Sequence, residues 1–496
     1  MSSEITAPTN QQNQTQTIIP RKAIYKTKGS TSDVVDKKEL IPYHATALSQ
    51  NLTVGENDSS KKITFQIAGD CFLDGINSFI SLGIKTNKYT SYMSSDITSI
   101  VKRMTISLPS NSNQVLEDIN NYNELQAMLH IISGSENGFD SGWHSGLNAL
   151  SNYNKTSGSK SARRFLNLSD EGEFKTLTFQ LNLSGILTSE NYLPLMLLNG
   201  IRIDIYLAPA SEAFHYDPVN EDSWDSVMDA VETKLVKDYS SLDAGEKKAI
   251  HDGLSSFTNK TNPPNDTDAL TYTITAPTYH AMTIWTSTSY TQSLIRASES
   301  QQGILLHYDS FRFNQIVPDS SYCNFAFPDS LQHVKSVFMG TYYRKKSSDT
   351  HFNYVCNSLK NFTFRIGSRI YHQVSNEPST AMTNLLLSVG KLGLYNANAL
   401  GASAYGRSKN VHAFDFQNCK EEGAKANSGI NTTNGRHLRL ELNWRSGSSN
   451  VITSPTDNSV LTALDNKVDY KESHLNCWLE FSKFLRINSA GILVVE

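Results

Sequence analysis

The stretch Phe139-Asp140-Ser141-Gly142 is the place where this sequence comes nearest to a catalytic motif, because Asp-Ser/Thr-Gly presents the carboxylate of an aspartic protease. That chemistry needs two carboxylates sharing one proton. A single copy is present, in a Gly-rich loop without apolar flanks, so Asp140 is not assigned a catalytic role. Gly142-Trp143-His144-Ser145-Gly146 superficially resembles a nucleophile elbow, but its Ser falls one place late and no strand-to-helix context surrounds it. No two of the thirteen histidines lie within a helical turn of each other, which excludes HExxH and His-x-His metal sites. His280, in a strand pattern, reads as a packed or interface residue. There is no GxGxxG and no Walker loop. The basic patch of Lys155, Lys160, Arg163 and Arg164 fits a solvated surface better than an anion or receptor site. No catalytic, cofactor-binding or metal-binding residue is assigned, and no cofactor is implied; the chain is read as a non-enzyme.

Composition supports that reading. At 496 residues the chain exceeds what one hydrophobic core organises, so two domains are expected. Thr, Ser, Asn and aromatic residues are abundant and helical periodicity is sparse, which points to an all-β chain. A formal net charge of −4 gives no global basic field, and no specific nucleic-acid site is expected. The N-terminus lacks the pattern of a secretory signal, and no run approaches the roughly 18 apolar residues of a membrane helix. The five cysteines, Cys71, Cys323, Cys356, Cys419 and Cys477, are scattered, as suits buried reduced thiols. The sequons at Asn51, Asn167 and Asn182 are read as unglycosylated.

Residues 1–58 are polar, with Arg21, Lys22, Lys26 and Lys28, and read as a flexible arm. Strand patterns follow at Ile63 to Ile67 and, after Asp74-Gly75, at Ile76, Phe79, Leu82 and Ile84. Two more flank a turn at Leu108 to Asn113. Tyr122, Leu125, Leu129 and Ile132 fall on one helical face, capped by Asn120 or Asn121. After a long loop at 133–175 comes Tyr192 to Pro209, whose apolar run Leu193 to Leu198 turns at Asn199-Gly200 into the alternating strand Ile201 to Leu207. Trp224 to Leu235 and Ala249 to Leu254 read as a helical insertion at about 209–270. Strands return at Tyr272 to Thr286 and Gly303 to Phe313, and Pro318-Asp319 reads as a domain junction.

The second half repeats the first. Ile76 matches Val334 and Met104 matches Phe362, each at an offset of 258. Ala381-Met382 echoes the helical Ala127-Met128. Phe179 matches Phe416 and Ile201-Arg202-Ile203-Asp204-Ile205 matches Leu438-Arg439-Leu440-Glu441-Leu442, both at 237; Gly303 is matched to Gly491 at 188. The offset falls only where the first half has a longer loop or its insertion, as tandem duplication requires. The fold expected is all-β with short helical insertions: two tandem eight-stranded jelly rolls, over 59–317 and 318–496, each with about eight strands and a helix after the fourth. The Arg202–Asp204 pair reads as a solvent or interface pair. The Leu193 to Leu198 run, absent from the second copy, reads as a contact between jelly rolls or subunits.

The strand-turn-strand-helix run Ile100 to Ile132 with NNYNELQAMLHII, the element YLPLMLLNGIRIDIYLAP, and the later YTITAPTYHAMTIW and LQHVKSVFMGTYYR resemble the double-jelly-roll major capsid proteins of double-stranded DNA viruses, especially the virophage and polinton-like branch. The resemblance covers the chain from about residue 60. It implies a structural virion protein that self-associates as a homotrimer, a pseudo-hexagonal block tiling an icosahedral shell with neighbouring trimers and with penton or minor capsid proteins. It also implies loops 133–175 and 209–270 facing outward or toward neighbours, an N-terminal arm at the shell interior or on an adjacent subunit, and synthesis in the host cytoplasm or nucleus without secretion. The alternative is a carbohydrate-binding or cell-attachment jelly-roll protein, for which Trp143 or Trp224 would be the aromatic platforms.

Overall fold

The computed structural model describes residues 35–46, 51–87, 91–93, 97–109, 111–133, 174–189, 191–216, 269–301, 303–343, 359–375, 383–385, 411–417, 429–433, 436–444, 451–452, 467–468, 471, 473–488 and 491–495. Asp140, Trp143, Trp224, the basic patch at 155–164, Cys356, Cys419 and the helices expected at 224–235 and 249–254 lie outside them.

Eight strands build the first barrel: β1 (Val35–His44), β2 (Lys62–Ile67), β3 (Phe72–Thr86), β4 (Val101–Leu108), β5 (Asn111–Asn120), β6 (Lys175–Phe179), β7 (Ile201–Leu207) and β8 (Tyr272–Thr286). They form two antiparallel sheets, ordered β1-β8-β3-β6 and β2-β7-β4-β5. Eight more build the second: β9 (Ile304–Ile316), β10 (Tyr322–Ala326), β11 (Val334–Tyr343), β12 (Leu359–Ile366), β13 (Arg369–Ser375), β14 (Val411–Asp415), β15 (Leu438–Trp444) and β16 (Ser473–Asn488). Their sheets are ordered β9-β16-β11-β14 and β10-β15-β12-β13, the first pattern shifted by eight strands. The final strand β17 (Gly491–Val495) pairs with β16. Alternation explains the buried face of each sheet. Ile201, Ile203, Ile205 and Leu207 of β7 point into one core, and Leu438, Leu440, Leu442 and Trp444 of β15 into the other. Helix α1 (Tyr122–Ser133) follows β5, and in its first turn the Asn123 side chain accepts from Glu124 N at 2.9 Å.

Several sequence expectations are corrected. The arm does not run to residue 58, because β1 pairs with β8 along its length and Leu52–Val54 pairs with Tyr272–Ile274. β1 is an edge strand held by its ladder; Leu40 is 42% exposed and Pro42 sits where a missing amide hydrogen does no harm, so the apolar signal is faint. With β1 counted, α1 follows the fifth strand, not the fourth. The first barrel does not extend to 317, since β9 pairs with β16 from Ile304↔Ile487 to Ile316↔Leu475. Helix α2 (Thr288–Ser298) separates β8 from β9, and Pro318-Asp319 lies in the connection between β9 and β10 of the second barrel. Gly303 and Gly491 are therefore not counterparts: β9 and β17 both flank β16, and the counterpart of β9 is β1.

Asp74-Gly75 is not a turn before a strand. It opens a bulge within β3, between Asp74↔Met282 and Phe79↔His280. Asn77 Nδ2 donates to Asp74 Oδ2 at 2.8 Å, Ser78 Oγ to the Asp74 carbonyl at 2.8 Å, and Met282 N to Ser78 Oγ at 2.9 Å. Gly75 is required there, because a Cβ would stand 2.1 Å from the Leu187 carbonyl oxygen. The run Leu193 to Leu198 divides into a short strand and a helical turn. Leu193–Pro194 pairs with β3, Leu195–Leu198 is one helical turn, and Leu193, Leu195 and Leu198 are buried in the hydrophobic core that the two barrels share. Asn199 and Gly200, at φ 54° and 87°, reverse the chain into β7. The described start of the insertion holds a helical turn (Ala210–Ala213) and then a strand, Phe214–Tyr216, paired with Ser91–Met93.

Candidate functional site: the seam between the barrels

β16 reads SHLNCWLEFSKFLRIN and is buried at every position from Ser473 to Lys483. A strand buried on both faces needs a second layer beyond its own barrel. Leu475, Cys477, Leu479 and Phe481 fill the second barrel, while Trp478, Leu485 and Ile487 join the hydrophobic core continuous with the first. That covering layer is β5 with α1. Down the seam, Gln114 Nε2 donates to the Ile492 carbonyl at 2.6 Å, and Tyr308 OH and Lys483 Nζ donate to the Leu116 carbonyl at 2.6 and 3.3 Å. Trp478 Nε1 then donates to the Asn120 carbonyl at 3.3 Å, and Asn476 Nδ2 to Glu124 Oε2 at 2.5 Å. Gly185 packs so closely that a Cβ would lie 1.6 Å from the Asp309 carbonyl oxygen.

Three buried glutamates line this seam. Glu117 accepts from Ser184 Oγ at 2.5 Å and Gly185 N at 2.9 Å; burial raises it above the ordinary glutamate value, opposed by those bonds and by Lys483. Glu124 lies 3.5 Å from Lys102 Nζ, which reaches Glu212 at 2.6 Å. Burial depresses Lys102, but Glu124 and Glu212 outweigh that and leave it raised. Glu480 is pushed up to about 7, first by burial and next by Asp309, against the Ser336 hydroxyl and Lys335. Ser184 and Gly185 bond Glu117, Asn476 bonds Glu124, and Ser336 bonds Glu480. Among the described residues no group of three His, Cys, Asp or Glu side chains could hold a metal, and no helix is long and apolar enough to cross a membrane.

The residues weighed from sequence that are described include Arg202, Asp204, His280 and three cysteines. Asp204 accepts from Thr64 Oγ at 2.5 Å and pairs with Arg202 at 3.1 Å; in the second barrel Glu441 pairs instead with Arg365 at 3.0 Å. The His280 ring stacks on Phe79 at 4.6 Å and its Nε2 lies 2.8 Å from Ser81 Oγ. Cys71 and Cys477 are buried and Cys323 half-buried, all as free thiols. Sequence reasoning missed the seam glutamates, although a carboxylate inside apolar VLEDI or WLEFS is itself a sign of a buried charge.

No protein-family model matches the chain, and no curated protein matches it. Solved structures do. The Faustovirus major capsid protein aligns at 10% identity over 94% of this chain and 92% of its own, with a TM-score of 0.53. A chain of the PBCV-1 virus capsid aligns at 10% identity over 95% and 99%, with a TM-score of 0.50. A chain of the Sputnik virophage aligns at 8% identity over 95% and 90%, also at 0.50. The chain has the double-jelly-roll fold of viral major capsid proteins. In this double jelly roll the seam joins the fifth strand and helix of one barrel to the eighth strand of the other.

Proposed function

We propose that the chain is a major capsid protein, assembling as homotrimers whose six jelly rolls form a pseudo-hexagonal block of an icosahedral shell. The observation that carries the reading is the unlike burial of two equivalent strands. β16 is covered on both faces, whereas β8 alternates buried residues with half-buried Thr273, Thr275, His280 and Met282. The seam is heterologous: the β5–α1 edge of one barrel meets the β16 sheet of the next. On this reading the matching surfaces, the β13 edge and the β8 sheet, meet those of another copy. A heterologous contact repeated around an axis closes into a ring when the rotation permits, and three two-barrel chains make six barrels.

On this reading the partners are neighbouring trimers and penton or minor capsid proteins, with the N-terminal arm toward the shell interior and the virion as the location. Synthesis in the host cytoplasm or nucleus fits the buried free thiols. Electron micrographs of the purified protein test it. Pseudo-hexagonal particles or shells are expected, and a field of single-chain particles at every concentration would overturn it.

A further inference from the structure

Charge is not evenly matched along the seam. Glu117 faces Lys483 of the opposite barrel, and Glu124 faces Lys102. Glu480, only 5% exposed, lies in a different setting. Its Oε2 accepts a short hydrogen bond from Ser336 Oγ of β11. Around it stand Asp309 of β9, Lys335 of β11 and Asp415 of β14. Lys335 is already committed, since its Nζ donates to both oxygens of Asp309 at 2.6 and 2.7 Å. Ser482 Oγ adds a bond to Asp309 at 3.2 Å, and His307 Nε2 lies 3.5 Å from the same carboxylate. Burial depresses His307, with Lys335 and His333 adding to that against Asp309, so it supplies no dependable positive charge. Lys483, three residues along β16, is engaged with the first barrel at Leu116 and Glu117. Ionised, Glu480 would be the third carboxylate beside one lysine, and its own side chain is buried while Asp309 is half-buried. The first barrel lies against this cluster through Gly185 on the Asp309 backbone and Asn120 on Trp478.

We propose that Glu480 is a proton-controlled latch on the seam: carrying its proton it lets β9, β11 and β16 close against the first barrel, and losing it loosens that contact. The folded chain holds this proton more tightly than an unfolded chain does, because burial favours the neutral acid. The contribution to stability is therefore complete below the ordinary glutamate range and falls as pH rises toward about 7. The latch acts within one chain and does not depend on the assembly proposed above.

The test is thermal unfolding of the full chain and of Glu480→Gln across the range from about pH 5 to about pH 8. The wild type should lose about 4 °C in Tm over that range beyond what the variant loses. Equal losses in both would overturn the proposal. Should the variant not fold, hydrogen exchange on the wild type decides, after correction for the intrinsic rate at each pH. Loss of protection concentrated in 111–124 and 473–484 supports the latch. A uniform change, or none, overturns it.

Discussion

Strands β8 and β16 hold the same place in their barrels and have almost the same length, yet one ends in a half-open face and the other in none. β8 alternates buried and half-buried residues over Tyr272 to Thr275 and again over Tyr279 to Met282, with Pro277, Thr278, Thr283 and Ile284 buried as well. β16 buries His474, Asn476, Trp478 and Glu480 as thoroughly as Leu475, Cys477, Leu479 and Phe481. The difference is not a difference of fold, because the sheet orders are identical after a shift of eight strands. It is a difference of neighbour. β16 has β5 and α1 against it, and the polar residues on its second face are those that can bond the backbone carbonyls of Leu116 and Asn120 and the carboxylate of Glu124. β8 has no such layer among the described residues. Its second face carries Met282 opposite the exposed Leu40, and His280 stacked on Phe79.

Substitutions at chosen places in the two barrels test this contrast. Trp478→Ala removes a fully buried indole shared with the first barrel's core, and should cost about 3–5 kcal/mol by chemical denaturation. A loss under about 1 kcal/mol would mean the seam is not packed as described. Gly185→Ala drives a methyl group into the Asp309 backbone and should cost about 1–3 kcal/mol, with loss of protection at β9 and little change at β10. The counterpart carboxylates give a finer comparison. Asp204, nearly buried and bonded by Thr64, should cost about 1–3 kcal/mol as Asp204→Asn. Glu441, holding Arg365 at a more open face, should cost less than about 1 kcal/mol as Glu441→Gln. The smallest stability effect belongs to Met282→Arg, within about 0.5 kcal/mol, because the side chain can reach water. That same change should abolish association between copies, measured by analytical ultracentrifugation.

The strands that face one core and one solvent layer were legible in the sequence. Ile201 to Leu207 and Leu438 to Trp444 alternate cleanly and are equivalent strands, β7 and β15. The matches of Ile76 with Val334 and of Met104 with Phe362 fall on β3 with β11 and β4 with β12. What escaped depends on partners distant in sequence. β1 has almost no apolar alternation and exists through its ladder with β8, more than two hundred residues away. With β1 unseen, β9 had no visible counterpart and was assigned to the wrong barrel. The bulge at Asp74 to Phe79 shifts the alternation within one strand, so Gly75 looked like a turn. The seam was the least legible part. Asn476, Trp478 and Glu480 look like an ordinary solvent face until β5 is placed over them.

In the proposed assembly the β8 face of one copy and the β13 edge of another complete each other. Light scattering on the chain as it elutes from size exclusion, at micromolar concentration, tests that directly. A species of three times the chain mass is expected. A stable monomer with no larger species as concentration rises would contradict it.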